Sequence, residues 1–335
     1  MSGTSIIILC AILAYMCLLI GVGFYNSRKN STSEDFYLGG RKMGALVVAM
    51  SAEASDMSSW LLMGLPGVAY LTGIADAFWT AAGLAVGTYL NWLFTSRRLR
   101  RYSEKIDAIT VPNFFAKRFH DEKNIITAIS AIIIVVFFIP YVASGFAACG
   151  KLFNSLFGLD YMTGVILFAI IIVIYTIMGG FTSVATNDLI QSIVMSIALI
   201  SIVTFGVSSA GGFGAVMDNA KSLPGYFSLS AIHDAVAGTA VPYSALSAVS
   251  LFAWGIGYFG MPHILVRFMA IEDEGKLVLS RRVASIWVTI AMGVAIFIGV
   301  VGLGVVKAGN MAPLEDSERV IIALTDILSQ NGFLA

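Results

Sequence analysis

Charge is scarce in this sequence of 335 residues, and so is cysteine. Only 12% of the residues are charged, and the twenty Lys and Arg residues balance the twenty Asp and Glu residues. Ordinary soluble domains carry about 25% charged residues, so the composition excludes a soluble globular protein. The balanced charge leaves no basic field that would bind nucleic acid. Hydrophobic residues instead make up 58% of the chain.

The three cysteines, Cys10, Cys17 and Cys149, form neither a CxxC pair nor a regular framework. This spacing argues against disulfides and zinc sites, and we expect packed thiols. The three histidines are far apart as well, which disfavours haem or a metal centre. His263 could titrate, but a single histidine near a helix end is more often a bystander whose hydrogen bonds are satisfied.

Long apolar runs dominate the chain. A bilayer core of about 30 Å needs about 20 mostly apolar residues in a helix. Eight runs meet this requirement, and a ninth begins at about residue 320. They cover approximately residues 6–25, 44–71, 77–94, 124–149, 162–178, 189–209, 240–266 and 283–306. We therefore predict an all-α, polytopic membrane protein, and we expect a fragment because the ninth run reaches residues 331–335 without a polar cap.

Lys and Arg are unequally divided between alternate connections. Sixteen, Lys29 and Arg267 among them, lie on one side and four on the other. Basic loops stay in the cytoplasm, so the amino terminus is predicted to be outside. The basic stretch 97–123 could bind nucleic acid or anionic lipid, but we favour a topology-setting loop containing a helix start at Thr110.

The run from 44 to 71 is interrupted by polar residues. It contains Glu53 and Asp56, several serines, and the helix breaker GLPG at 64–67. A carboxylate at the bilayer centre costs about 2.5–3.5 kcal/mol on insertion scales, so these side chains must face protein, water or an ion. Local unwinding is expected because the two like charges would otherwise share a helix face. Glu53 could equally pair with a basic residue.

The run that ends near residue 270 is interrupted in a second way. Gly255, Gly257, Gly260 and Pro262 fall within eight residues, which weakens the helix and frees backbone carbonyls. Two interrupted spans in corresponding halves indicate an inverted-repeat transporter with its site at the membrane midplane. We predict one transmembrane domain over 1–335, with an extra first helix at 6–25, a first repeat at about 44–209, and an incomplete second repeat from about 240.

Four segments resemble the sodium:solute symporter family. They are LGGR at 38–41, SAEASDMSSWLLMGLPG at 51–67, YTIMGGFTS at 175–183 and WGIGYFGMPHILVRFMA at 254–270. The second and fourth segments are similar to the family's two broken helices, in the form found in members that carry proline. The resemblance implies a helical bundle like that of inverted-repeat amino-acid transporters, and coupled uptake of sodium and L-proline across the inner membrane.

The resemblance also implies roles for individual residues. The backbone carbonyls of Ala54 and Met57 would bind the transported sodium ion, with support from Asp56 and Ser58, and Asp188 would lie on the ion's inward route. The proline site and its gates would be formed by a further set of residues: Ser58, Trp60, Gly64, Tyr141, Trp254, Tyr258 and Pro262.

Two departures from the family pattern stand out. Glu53 replaces an expected small residue, which could alter packing beside the sodium site. Asn187 precedes Asp188 where a threonine is expected, which weakens the role assigned to the aspartate. The resemblance further implies that hydroxyl ligands for sodium lie on a helix that would follow Ala335.

Other functions remain open at this point. A related transporter could carry pantothenate or a sugar, with sodium or protons as the coupling ion. A solute sensor attached to a kinase could use the same fold. A membrane enzyme is the least expected class, because we find no nucleophile and base pair, no metal-ligand spacing and no nucleotide loop, and we expect no organic cofactor.

Overall fold

Helices account for nearly all regular structure in the computed structural model, which describes residues 3–28 and 31–330 and is 82% helical. Lys29 and the predicted uncapped end at 331–335 lie outside the described residues. The first eight helices are α1 Gly3–Ser27, α2 Ser33–Leu38, α3 Ala45–Ser59, α4 Leu65–Thr72, α5 Ile74–Asn91, α6 Arg97–Lys105, α7 Val111–Arg118 and α8 Ile125–Phe157.

The remaining elements include one small hairpin. They are α9 Tyr161–Ser209, α10 Phe213–Ser222, β1 Ala231–Asp234, β2 Thr239–Pro242, α11 Ala245–Phe252, α12 Pro262–Ala270, α13 Leu277–Lys307 and α14 Val320–Gln330. The two strands pair antiparallel, with Ala231 opposite Pro242. The hairpin corrects the apolar run predicted from 240, because helix begins only at Ala245.

Within the described residues, four helices are long and apolar enough to cross a membrane, and the count is five if the broken pair Ala245–Gly260 and Pro262–Ala270 is one span. The four begin at Ile7, Ile125, Tyr161 and Glu274. The runs predicted at 162–178 and 189–209 join in α9, which contains a break at Gly180 with φ 58° and ψ −155°. The predicted all-α, multi-pass membrane architecture with two broken helices is confirmed.

Local sequence explains several helix ends. Thr110 caps α7, because its side chain accepts the Asn113 amide at 3.2 Å, as its sequence predicts. Thr32 and Asp35 form a reciprocal capping box at α2. Hydrogen bonds from the side chains of Thr32 and then Ser31 lower the pKa of Asp35.

The chain forms two compact units. Unit 1 comprises the segment up to Asp56, Tyr89–Ser192 and Tyr258–Ala284, and unit 2 comprises Met57–Thr88, Ile193–Gly257 and the segment from Ser285 onward. In unit 1 the end of α12 is held by buried arginines: Arg41 donates to the carbonyl of Met269 at 3.1 Å, and Arg100 to that of Ile271 at 2.7 Å.

Close backbone approaches hold unit 2 together. Gly83 and Gly87 of α5 lie directly against the backbone of Phe252 and Gly255, and a methyl group at either glycine would collide with it. The chain before β1 packs on the turn between α4 and α5, where Tyr226 donates its hydroxyl to the Ala69 carbonyl at 2.6 Å. Small residues let helix backbones approach this closely in membranes.

The cysteines depart from expectation. All three are free thiols, as predicted, but Cys10 and Cys17 are exposed and Cys149 is only partly buried. The expectation of packed thiols is therefore wrong for the two cysteines of α1, because that helix crosses the membrane with most of its surface uncovered by protein.

Candidate functional site

The first interrupted helix breaks at Ser58. Helix α3 contains this residue at φ 43° and ψ −152°, a conformation that is uncommon for residues other than glycine and costs of order 1–3 kcal/mol. A wide π-helical turn follows at Trp60–Gly64 and continues into α4, which contains Pro66 in its first turn. An interruption is thus present, but it lies at Ser58 and not at the predicted GLPG breaker, because Gly64 and Leu65 keep right-handed helical backbone angles. Glu53 and Asp56 both precede the break, so the expected unwinding between them is wrong.

Backbone carbonyls before this break are bound by a side chain. The Tyr141 hydroxyl of α8 donates to the carbonyl of Ser55, and that of Asp56 lies 3.4 Å away. A carbonyl fully engaged in a regular helix would offer less to such a donor. Tyr141 therefore contacts the backbone in the last turn of α3 before Ser58, next to Ala54 and Met57.

Asp56 lies among aromatic and basic groups of unit 1. Its side chain is 6% exposed, and the His263 Nε2 atom lies 4.0 Å from its Oδ1. The Tyr258 side chain also interacts electrostatically with this carboxylate. Two residues far apart in sequence, Tyr258 and His263, thus converge on the acidic group that the sequence singled out.

His263 differs from the expected satisfied bystander. Its ring stacks on Tyr141 at 5.4 Å between centroids and contacts Phe138 edge-on at 5.3 Å. Both ring nitrogens are buried, and neither has a hydrogen-bond partner among the described residues. The expectation is therefore wrong, because the imidazole packs between two aromatic rings that offer it no acceptor or donor.

Asp188 forms a buried ion pair with Arg267. Its Oδ2 accepts from Ser51 at 2.6 Å and from the Arg267 guanidinium at 2.9 Å, and Ser55 also donates to it at 3.1 Å. Arg267 also donates to both serines and to the carbonyl of His263. The carboxylate assigned to the ion's route is thus neutralised by a residue that the sequence reasoning placed in a loop.

Arg267 is the functional candidate that the sequence reasoning missed. It is 4% exposed, although it was counted with the cytoplasmic loop charges because it stands at the end of an apolar run. The available signal was the rarity of arginine at membrane depth, which requires a partner inside the protein. No sequence pattern identifies that partner as Asp188, 79 positions away.

Glu53 has a neutral partner rather than a basic one. It is 3% exposed, and its Oε1 accepts the indole N–H of Trp92 at 3.2 Å. Trp92 follows α5 and packs against Phe268 with 4.5 Å between ring centroids. Within the described residues no ion pair of Glu53 is found, so the suggested basic partner is not what the structure provides.

The remaining predicted residues divide between the units. In unit 2, Trp60 and Trp254 meet edge to face with 5.1 Å between ring centroids. Gly64 lies against the same indole, because an added Cβ would stand 2.8 Å from the Trp60 Cδ1 atom. Met57 is buried and Ser58 half-buried at the break.

The second interrupted helix is built differently from the first. A 3₁₀ stretch at Ala253–Gly260 precedes Pro262, which opens α12. Tyr258 is 2% exposed, whereas Trp254 is 43% exposed. The Met261 amide reaches the Tyr258 carbonyl at 3.4 Å. The glycines and proline thus produce the predicted break.

Oxygen atoms dominate the groups that could hold a cation at the first break. Among the described residues no cluster of three or more His, Cys, Asp or Glu side chains suits a metal ion. Carbonyl and hydroxyl oxygens of 54–58 are present instead, and hard cations bind such oxygens.

Comparison with known proteins places these features in a family context. Residues 36–335 match the model of the sodium:solute symporter family. The chain is 40% identical over 328 residues to sodium/proline symporters of Staphylococcus aureus strains JH9 and JH1, covering 96% of this chain. It spans 62% of the length of those relatives.

A solved structure shares the fold. It is described as the substrate-bound outward-open state of a Na⁺-coupled sialic acid symporter, and it superposes with a TM-score of 0.72 at 16% identity. The match covers 98% of this chain and 70% of that one. At this identity the likeness concerns the fold alone.

Proposed function

This chain belongs to the sodium:solute symporter family, and from that premise we propose that the protein of which it forms at least this part takes up a small solute together with sodium. The family consists of transporters, which confirms the resemblance and the prediction that the chain is not an enzyme. Its apolar helices make it part of a multi-pass membrane protein.

One observation carries this proposal. Helix α3 is broken at Ser58 beside the buried Asp56, and the carbonyls before the break accept a hydroxyl from Tyr141. Broken membrane helices offer unwound carbonyls to sodium because those oxygens are not used within the helix. A carboxylate nearby favours a cation over water at this position.

We assign the ion to the first break. The carbonyls of Ala54 and Met57 are the proposed ligands, and Asp56 and Ser58 support them. Asp188 belongs to the ion's inward route in this proposal, where sodium would compete with Arg267 for the carboxylate. Each sodium ion that enters gains about 2.3 kcal/mol per 100 mV of membrane potential, which can drive uptake.

We assign L-proline as the solute, on the strength of the 40% identity to symporters named for proline. A proline carboxylate suits the amino end of a half-helix, and its ring suits aromatic walls. The residues predicted for the proline site are the proposed contacts. In unit 1 they are Tyr141, Tyr258 and Pro262, and in unit 2 they are Ser58, Trp60, Gly64 and Trp254.

The proposal includes the topology and the repeats. The excess of Lys and Arg in alternate connections supports an external amino terminus in the cytoplasmic membrane. The first repeat would cover about 44–209, the second would begin at about 240, and the helix at 6–25 would precede both.

A second solute class has one observation in its favour. The solved structure with the same fold is named for sialic acid, so this architecture accommodates solutes other than amino acids. Uptake of a sugar or of pantothenate is the corresponding alternative, and pocket chemistry rather than the fold decides between them.

Radiolabelled proline uptake by the full-length protein in proteoliposomes tests the proposal. We expect uptake in a sodium gradient and little in lithium or choline. Unlabelled sialic acid, glucose and pantothenate serve as competitors and should leave proline uptake unchanged. Equal proline uptake in sodium, lithium and choline would refute sodium coupling. No proline uptake, together with uptake of one of the other solutes, would refute proline as the solute.

A further inference from the structure

Helix α5 carries a contact face at a spacing of four residues, which we define as Gly83, Gly87 and Asn91. In unit 2, Gly83 and Gly87 lie against the backbone of Phe252 and Gly255 so closely that no Cβ fits. In unit 1, Asn91 donates its amide to the carbonyl of Tyr258 at 2.9 Å. Each member of the face therefore contacts the second broken helix, at a spacing of three.

The two spacings agree in length. An α-helix rises about 1.5 Å per residue, so four residues advance about 6 Å. A 3₁₀ helix rises about 2.0 Å per residue, so three residues also advance about 6 Å. In unit 2, the 3₁₀ winding that begins at Ala253 thus keeps Phe252 and Gly255 in register with Gly83 and Gly87. Asn91 supplies the only polar member of this face.

The Tyr258 carbonyl needs the bond that Asn91 provides. The following Met261 amide lies 3.4 Å away, at the limit of hydrogen bonding, and Pro262 has no N–H to offer. A backbone carbonyl without a partner is costly at membrane depth. Asn91 is 1% exposed, so water does not replace it.

The side chain of the same tyrosine interacts electrostatically with Asp56. Fixing the Tyr258 backbone therefore fixes the direction of a hydroxyl at the acidic group. The neighbouring Trp92 contacts the first broken helix, because its indole donates to Glu53 at 3.2 Å. Asn91 and Trp92, which are consecutive in the chain, thus each contact one of the two broken helices.

We propose that Asn91 is a positioning residue for sodium and solute binding, which fixes the register of Tyr258 on the end of α5 and orients the Tyr258 hydroxyl toward Asp56. This role rests on the proposed function. In this role Asn91 acts through its hydrogen bond to Tyr258. Trp92 and Glu53 perform the matching task for α3, and there an acceptor for the indole is required rather than a charge.

The test uses Asn91→Leu, which keeps the volume and removes the donor, in the full-length protein. Thr88→Val is the matched control, because Thr88 is equally buried in α5 but lies off the contact face. We expect Asn91→Leu to raise the half-saturation constants for sodium and proline about tenfold, the effect of one buried hydrogen bond. The maximal rate should change less than about twofold, and Thr88→Val should resemble the wild type.

A double variant separates positioning from packing. In a Tyr258→Phe background, Asn91→Leu should add little to the sodium constant, because the hydroxyl it orients is gone. Additive effects, or a fall in maximal rate with both constants unchanged, would overturn the proposal. Glu53→Gln keeps an acceptor for the indole and should raise both constants less than Glu53→Leu does; an equal loss in the two variants would show that charge, not hydrogen bonding, is needed.

Hydrogen exchange of the backbone gives a readout that does not depend on transport. Amides of 253–261 should exchange about tenfold faster in Asn91→Leu than in the wild type or in Thr88→Val. Unchanged exchange would overturn the register role even if transport is impaired or the variant is unstable. If the wild type takes up no proline with sodium but exchange responds as expected, the proposed function fails and the register role stands.

Discussion

The interior of one compact unit differs from that of the other in its buried polar residues. The buried charged residues of the described chain, Arg41, Glu53, Arg100, Asp188 and Arg267, all belong to unit 1. Unit 2 relies on glycines packed against backbone, as at Gly83 and Gly87. Its buried polar residues are two threonines, His233 and Ser329.

This contrast reflects the solvent that surrounds the protein. Lipid tails are as apolar as leucine, so helices in a membrane gain little from simple hydrophobic burial. Hydrogen bonding and close backbone packing remain as ways to join them, and unit 1 adds buried charged groups to both. The unit with the buried charges also contains Asp56 and Asp188, the groups we assign to the ion.

The largest expected effect comes from breaking the ion pair of unit 1. Arg267→Met leaves Asp188 buried without its cation, which costs about 3–5 kcal/mol of folding free energy. The double variant Arg267→Met, Asp188→Asn should recover most of that loss. Unfolding in detergent measures both. Equal instability of the single and double variants would mean that the pair is not the polar element that holds unit 1.

A single methyl group should test the packing of unit 2. Gly87→Ala would place a Cβ against the Gly255 backbone, and we expect a loss of about 1–3 kcal/mol from overpacking. Gly293→Ala is the matched control, because nothing lies within 4 Å of its Cβ position and alanine favours a helix. Thermal unfolding in detergent measures both variants. Equal stability of the two would contradict the claim that unit 2 depends on glycine packed against backbone.

Asp56→Asn should change function more than stability. We expect the sodium half-saturation constant to rise about tenfold or more, because a neutral amide gives up the attraction between the carboxylate and the cation. Uptake measured over a range of sodium concentrations reports this constant, and immunoblotting of membranes controls for protein amount. Wild-type sodium dependence in the variant would remove Asp56 from the ion site.

The smallest effect is expected at the aromatic pair of unit 2. Trp254→Ala loses the edge contact with Trp60, and aromatic pairs contribute about 0.5–1.5 kcal/mol beyond burial. The half-saturation constant for proline should rise about threefold to tenfold at unchanged sodium dependence. Trp254→Phe, which keeps a ring, should lie between. An unchanged proline constant would place the solute elsewhere.

The presence of two interrupted helices could be predicted because local residues indicate it. Glu53, Asp56 and the GLPG segment cannot form an ordinary lipid-facing helix, and the glycines before Pro262 weaken the second one. The form of each break could not be predicted in the same way. The 3₁₀ winding at Ala253–Gly260 depends on the glycines of α5, whose contact with it is tertiary.

Arg267 and the hairpin show why other features could not be predicted from the sequence. A charge at the end of an apolar run is indistinguishable from a loop charge unless its partner is known, and Asp188 lies in another helix. The hairpin strand Thr239–Pro242 is apolar enough to extend the following run. Both errors arise because an apolar window records composition and not the neighbours that fold against it.

The exposed thiols of α1 provide a natural depth gauge. Cys10 and Cys17 lie two helical turns apart on one side of the rod, separated by about 10 Å along its axis. Fluorophores attached at these two positions would sample different layers of the bilayer without any engineered cysteine. Quenching of each fluorophore by quenchers at known depths in the lipid would then show which end of α1 lies in which leaflet.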